Sequence, residues 1–257
     1  MNKQKISLLS ARDLCKKFNE SNNQKEWILN HIELDIFKGD FTIIMGSSGA
    51  GKSTLLYALS GMDPVSFGNV FYKDQKINTM SETKLAVLRA REFGFVFQQT
   101  QLVSNLTLLE NVEVAGYLNR DRDTKTVRER AAHLLEQMHV KSAVNRLPAE
   151  VSGGEAQRAA LARAVINEPE LIFADEPTGA LNKKNTEEVL DLLTNLNAAG
   201  QSILMVTHDV RAALRGNRLL YLEDGAIIGE QNFPPYSESD PKERETRIQT
   251  WLASLEW

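Results

Sequence analysis

The stretch Phe41-Thr42-Ile43-Ile44-Met45-Gly46-Ser47-Ser48-Gly49-Ala50-Gly51-Lys52-Ser53-Thr54 decides the fold. Its first five residues are compact, apolar and partly β-branched, the profile of a buried parallel strand. The next eight, Gly46 to Ser53, fit G-x-x-x-x-G-K-[ST], and a helix is predicted over about 52–60, stopped by Gly61 and Pro64. Gly46, Gly49 and Gly51 let the loop curl so that backbone N–H groups point inward at phosphate oxygens. The start of the helix adds a favourable dipole of about half a charge. The predicted phosphate site is the whole loop: Gly46, Ser47, Ser48, Gly49, Ala50, Gly51, Lys52, Ser53 and Thr54. In it, Lys52 would neutralise the β and γ phosphates and Ser53 would give its hydroxyl to Mg²⁺. A Gly-rich turn would match the loop alone; the strand and helix on either side of it argue for the phosphate site.

Downstream, Leu171-Ile172-Phe173-Ala174-Asp175-Glu176 is a second buried strand with two carboxylates at its C-terminal end. Ligands of open α/β sheets bind at that end. Asp175 would hold Mg²⁺, directly or through water, and Glu176 would polarise an attacking water. The bland alternative is an acidic turn. A helix over about 183–199, stopped by Gly200, leads to a strand at 202–206, so the segment reads as a βαβ unit with a parallel sheet. Residues 218–222 and 226–229 read as a hairpin around Glu223-Asp224-Gly225. Nearer the start, strands at 6–14 and 28–36 flank a polar turn. Residues 81–167 read mostly as helix, with Val127, Ala131, Leu134, Leu135 and Met138 on one face. The tail from Gln231 is polar and Pro-containing, with a short helix predicted around Trp251, Leu252, Leu255 and Trp257.

With 42% hydrophobic and 25% charged residues over 257 positions, the chain has the composition of an ordinary globular protein. One cysteine, Cys15, excludes an internal disulfide framework and a cysteine-rich zinc site. No apolar run approaches the ~18 residues of a membrane span, and the start lacks a signal-peptide stretch. A net charge of −4 offers no global basic field for nucleic acid, which is not an expected partner. Together these features predict a cytosolic protein.

Val151-Ser152-Gly153-Gly154-Glu155-Ala156-Gln157-Arg158 is similar to the signature of ATP-binding-cassette ATPases, with Val in place of the usual first Leu. Phosphate loop, signature, strand acids and Thr207-His208-Asp209 stand in that family's order across about residues 6–230. The resemblance implies an α/β fold: a P-loop NTPase core with a mostly parallel sheet, an N-terminal antiparallel β subdomain and an inserted α-helical subdomain. The core would occupy about 1–92 and 168–230, the helical subdomain about 93–167, and 231–257 would be a polar tail. It also implies an ATP-bound head-to-tail homodimer, in which Ser152, Gly153, Gly154 and Glu155 meet the nucleotide held by the other copy. A helix N-terminus preceded by Ser-Gly-Gly suits an anion site, although alone it would more often be a simple cap.

Three further positions carry over. Phe18 matches the aromatic that stacks on adenine; an ordinary packed Phe is the alternative. Gln98 matches the glutamine that touches Mg²⁺ and the attacking water and relays nucleotide state to a membrane subunit. His208 matches the switch histidine on the γ-phosphate, where a lone His would otherwise be structural. One residue departs from the pattern: Asn182 ends the Gly179-Ala180-Leu181-Asn182 loop where Asp is usual. It can still accept through its carbonyl, but its Nδ2 donates.

The segments 93–103, 106–112 and 173–181 resemble one subgroup, the macrolide-exporter, lipoprotein-release and bacitracin-resistance type. The expected function is therefore an ATP-hydrolysing subunit that powers a membrane permease, peripheral on the inner face of the cell membrane. The cargo would be antimicrobial peptides, antibiotics or lipoproteins, with a lean to the first. Thr100, Leu102, Val103, Leu106 and Leu108 are candidates to receive the permease, or else they pack the chain's own core. The alternative is a nucleotide-gated regulator of an envelope enzyme or sensor, with no transport.

Overall fold

The computed structural model describes residues 5–17, 27–119, 121–237 and 241–255. Two compact units divide the chain: residues up to Ser81 with those from Asn197 onward, and Glu82–Leu196. In chain order the first unit begins with β1 (Ser7–Lys17), β2 (Trp27–Phe37), β3 (Phe41–Met45), α1 (Lys52–Leu59), β4 (Phe67–Tyr72) and β5 (Gln75–Lys76). The second carries α2 (Glu82–Glu92), β6 (Phe93–Phe97), α3 (Leu108–Tyr117), α4 (Thr124–Gln137), α5 (Gly153–Val165), β7 (Leu171–Asp175) and α6 (Lys183–Ala198). The chain then returns to the first with β8 (Ser202–Val206), α7 (Val210–Ala213), β9 (Arg218–Glu223), β10 (Ala226–Asn232) and α8 (Pro241–Ala253).

In the first unit, β3 runs parallel to β8 on one side and β9 on the other, and β10 closes back antiparallel on β9. Every residue of β3 and β8 is buried, as strands covered on both faces require. Each Ile or Leu so buried contributes about 1.5–3 kcal/mol before the entropy of ordering is subtracted. Leu55, Leu56 and Leu59 form the buried side of α1. A separate antiparallel sheet of the same unit has the order β2-β1-β4-β5. Its strands alternate buried and exposed residues over much of their length, so one face is covered.

The tail packs against its own unit. Ile248 and Leu252 are fully buried, and Trp251 meets Tyr221 edge-on at 6.5 Å. Arg244 donates to the carbonyls of Pro234, at 2.8 Å, and Gly216, and stacks over Phe233. Burial lowers the pKa of Arg244. Trp257 lies outside the described residues.

In the second unit, β6 and β7 are a parallel pair in register from Phe93↔Leu171 to Phe97↔Asp175. The expectation of a mostly helical stretch from 81 to 167 therefore needs one correction: 93–97 is a strand. Phe93 and Phe95 pack on Phe173 at 5.0 and 5.5 Å, and this aromatic contact holds the strand against its neighbour. The helical reading holds for α4, whose Val127, Ala131, Leu134 and Leu135 are buried. Helix α5 is buried on nearly every side because its small residues Ala159, Ala160, Ala162 and Ala164 allow close approach.

Candidate functional site

The phosphate loop leaves the C-terminal end of β3 and enters α1. Gly46 has left-handed φ, and a Cβ there would collide with the backbone carbonyl of Leu222, so no other residue fits. Gly51 caps α1 at φ 98°, and a Cβ would come 2.9 Å from the carbonyl of Ile28. Ser47, Ser48 and Gly49 form the exposed crest; Ala50 and Lys52 are buried beneath it. Lys52 Nζ donates to the carbonyls of Gly46 and Ser47 at 2.9 and 2.8 Å. The ammonium is therefore held inside the curl of the loop. Ser53 and Thr54 follow in the first turn of α1.

His208 belongs to the same unit. It is exposed just beyond the C-terminal end of β8, the strand beside β3, where Thr207 N–H donates to Ile44 O at 3.1 Å. The phosphate loop and His208 thus leave adjacent parallel strands at the same edge. Asp209 caps the following turn and is held by Arg211 through both carboxylate oxygens.

The second unit gathers a different set. Gln98 follows β6, Asp175 ends β7 and Glu176 follows it, so in-register parallel pairing brings them to one edge. Asp175 is buried. Glu176 takes φ 43°, a left-handed conformation uncommon for a residue with a side chain. Its carbonyl accepts from Gly179 N–H at 3.0 Å, which closes the turn. A Cβ at Gly179 would stand 2.8 Å from Gln98 Nε2 and 3.3 Å from Glu176 Oε2. The side-chain ends of Gln98 and Glu176 therefore converge on Gly179, and a methyl there would push the Gln98 amide aside.

The signature opens α5. Ser152 is its N-cap: the hydroxyl accepts from Glu155 N–H and donates to Glu155 Oε2 at 2.7 Å, while Ser152 N–H donates to the same oxygen at 2.9 Å. These bonds from Ser152, its hydroxyl first, hold the Glu155 carboxyl below the usual range. Ser152 and Gly153 are exposed, and the Asn185 side chain lies against Gly154, where a Cβ would push it aside. Asn182 caps α6, its Oδ1 accepting from Asn185 N–H at 3.0 Å. Asn and Asp serve equally at such a cap, so the departure from Asp leaves α6 well terminated. Phe18 lies outside the described residues.

Residues 29–179 match the family described as ABC transporter. The chain belongs to that family. It is 44% identical over 203 residues to the lipoprotein-releasing system ATP-binding protein LolD of Aquifex aeolicus, covering 79% of this chain and 90% of the relative. It is 40% identical over 227 residues to the macrolide export ATP-binding/permease protein MacB of Vibrio parahaemolyticus, covering 87% of this chain but 34% of that longer protein. A dimeric post-hydrolysis structure of the ATP-binding cassette MJ0796, bound to ADP and Pi, matches with TM-score 0.82 and 35% identity, over 89% of this chain and all of that one. The fold is that of the P-loop NTPases, and this chain is an ABC-type ATPase.

Two residues of this ABC cassette were not singled out from sequence for the contacts they make. Gln157, buried on α5, donates to Phe97 O at 2.9 Å, just before Gln98. Arg163, two turns further along, donates to Thr100 O and Gln101 O at 2.7 and 2.6 Å, just after it. Desolvation lowers the Arg163 pKa, so the guanidinium depends on these carbonyls. The helix that begins at the signature thus grips the backbone on both sides of Gln98. A polar residue on the buried face of an Ala-rich helix was the available signal for Gln157.

Proposed function

We propose that this chain is the ATP-hydrolysing engine of a membrane-permease complex, working as a head-to-tail homodimer on the inner face of the cell membrane. The observation that carries the reading is the convergence of Gln98 and Glu176 on Gly179. It supplies a hydrogen-bonding group and a carboxylate at one point, the pair that a water nucleophile needs. The phosphate loop binds ATP through its backbone N–H groups, and Lys52 moves from the carbonyls of Gly46 and Ser47 to the phosphates. Mg²⁺, when bound with the nucleotide, supplies charge neutralisation. The oxygen donors of Ser53, Gln98 and Asp175 suit that hard cation. Phe18 is assigned to the adenine. Glu176 accepts the proton of the attacking water, and His208 donates to the γ-phosphate. Ser152, Gly153, Gly154 and Glu155 of the second copy complete the site.

Residues 1–230 are assigned to the ATPase domain, with 231–257 appended to it. The cargo class we favour is a membrane-embedded amphiphile: an antimicrobial peptide, an antibiotic or a lipoprotein. LolD and MacB, the named relatives, support this breadth without narrowing it. Asn182, a departure from the family pattern, caps α6 as an Asp would and so lends no weight to the regulator alternative.

Replacing Gly179 by Ala puts a methyl between Gln98 and Glu176. Turnover should fall about 10- to 100-fold with ATP affinity retained. Wild-type turnover would show that the two side chains need not converge.

The permease is assigned to the loop after Gln98. Leu108, one of the candidates, is fully buried and packs its own unit, whereas Val103 is 48% exposed. Asn111 orders this loop, donating to Val103 O, Leu106 O and Thr107 O and accepting from Val103 N–H. Val114, Tyr117 and Leu118 add exposed apolar surface on α3 and just after it. A tagged chain should retain an integral membrane permease from detergent-solubilised native membranes, and Val103→Asp should lose it while hydrolysing ATP. Retention of no membrane protein by an active wild-type chain would contradict the assignment.

A further inference from the structure

Strands β1 and β2 bring together three different metal-ligating side chains, none of which is assigned to ATP. Asp13, Cys15 and His31 each offer one donor atom, and these atoms all lie within 4.8 Å of one another. They are the one such group among the described residues. The β1–β2 ladder loses its register between Ala11 and Leu14 and again between Leu14 and Lys16. The irregularity, with Asp13 out of extended backbone, brings Asp13 and Cys15 together beside His31. Asp13 and His31 both take left-handed backbone angles, φ 50° and 49°.

The surroundings hold the group in place. His31 N–H donates to Cys15 Sγ at 3.2 Å, so the sulfur already serves as an acceptor. Asp13 N–H donates to Glu33 Oε1 at 2.7 Å, which fixes the backbone that carries the carboxylate. His31 Nδ1 contacts Asp13 Oδ1. Cys15 is buried, while Asp13 and His31 are exposed, so the sulfur forms the floor and the other two the rim.

We propose that Asp13, Cys15 and His31 form a binding site for a thiophilic divalent transition ion of the Zn²⁺ class. Sulfur, imidazole nitrogen and carboxylate oxygen are the donors that ion takes, with bonds of about 2.0–2.3 Å. Such bonds place neighbouring donors about 3.5 Å apart, which side-chain rotation achieves from the spacing here. The fourth position is left to water. On binding, the Cys15 thiol gives its proton to solvent, and the contact between His31 and Asp13 is replaced by two metal bonds. The occupied site clips β1 to β2.

The reading is independent of ATP, and its test uses none. The metal-free full-length chain is titrated with Co²⁺ while absorbance is followed. Cys15 is the sole cysteine of the 257 residues, so a sulfur-to-cobalt charge-transfer band can come from it alone. One-to-one saturation is expected, with the band bleached by Zn²⁺ and absent in Cys15→Ser. Asp13→Asn and His31→Asn keep residues that tolerate left-handed φ, so both should fold. Each should weaken Co²⁺ binding by about tenfold or more. Zn²⁺ should also raise the thermal midpoint of the wild type and not of Cys15→Ser. Absence of the band at saturating Co²⁺ would overturn the site. So would wild-type affinity in both Asp13→Asn and His31→Asn, which would leave a lone thiol.

Discussion

Replacing Glu176 by Gln is expected to lower ATP turnover by about 10²–10⁴-fold while ATP binding survives. The two side chains have nearly the same shape. The turn that seats residue 176 is held by its carbonyl, which accepts from Gly179 N–H at 3.0 Å whatever the side chain. Only the capacity to take a proton from water is lost. Gln98 is the second polar end converging on Gly179 and is an amide, so it cannot substitute as a base. Asp175 is buried at the end of β7 and is assigned to the metal. Single-turnover phosphate release separates the chemical step from product release. Near-normal turnover in Glu176→Gln would remove Glu176 from the mechanism.

Replacing Lys52 by Ala is expected to have the largest effect on binding. The ammonium donates to the carbonyls of Gly46 and Ser47 at 2.9 and 2.8 Å. It can exchange them for phosphate oxygens without a large movement of the loop. A hydrogen bond to a charged group is worth about 1.5–3 kcal/mol, so one such contact corresponds to about 10- to 100-fold in affinity. Truncation also takes the ammonium away from two loop carbonyls, so a modest drop in the thermal midpoint should accompany the loss of affinity. Calorimetry with ATP reads the first and thermal unfolding the second. Unchanged affinity would place the phosphates elsewhere.

The parts of this fold that were legible in the sequence are those set by short-range chemistry. Strands at 41–45, 171–175 and 202–206 are mostly apolar, and all three are buried along their whole length. Gly200, at φ 100°, follows α6 closely, as a helix stop should. Strand β4 was not foreseen. Phe67-Gly68-Asn69-Val70 has a weak strand pattern, and Gly68 is needed because β1 presses the carbonyl of Asp13 against it. That requirement belongs to the partner strand and leaves no local trace.

The site divides in the same way. The phosphate loop, the Asp-Glu pair and the signature are contiguous motifs, and each falls at the strand end or helix start where its spacing put it. Long-range contacts were not legible. Arg163 reaches a carbonyl 62 residues away and Gln157 one 60 residues away, and backbone acceptors carry no residue type to read. Asn182 stands where the family has Asp, and its sequence position alone does not show which of its polar atoms is used. Its Oδ1 is used locally, on the first turn of α6, as an N-cap one residue before a helix would be.

In the proposed mechanism, ATP draws two copies together around residues that each copy supplies. The mass of Glu176→Gln in solution, measured by light scattering with and without ATP, tests this most directly. One chain without nucleotide and two with ATP is the predicted result. A single chain at saturating ATP would contradict it.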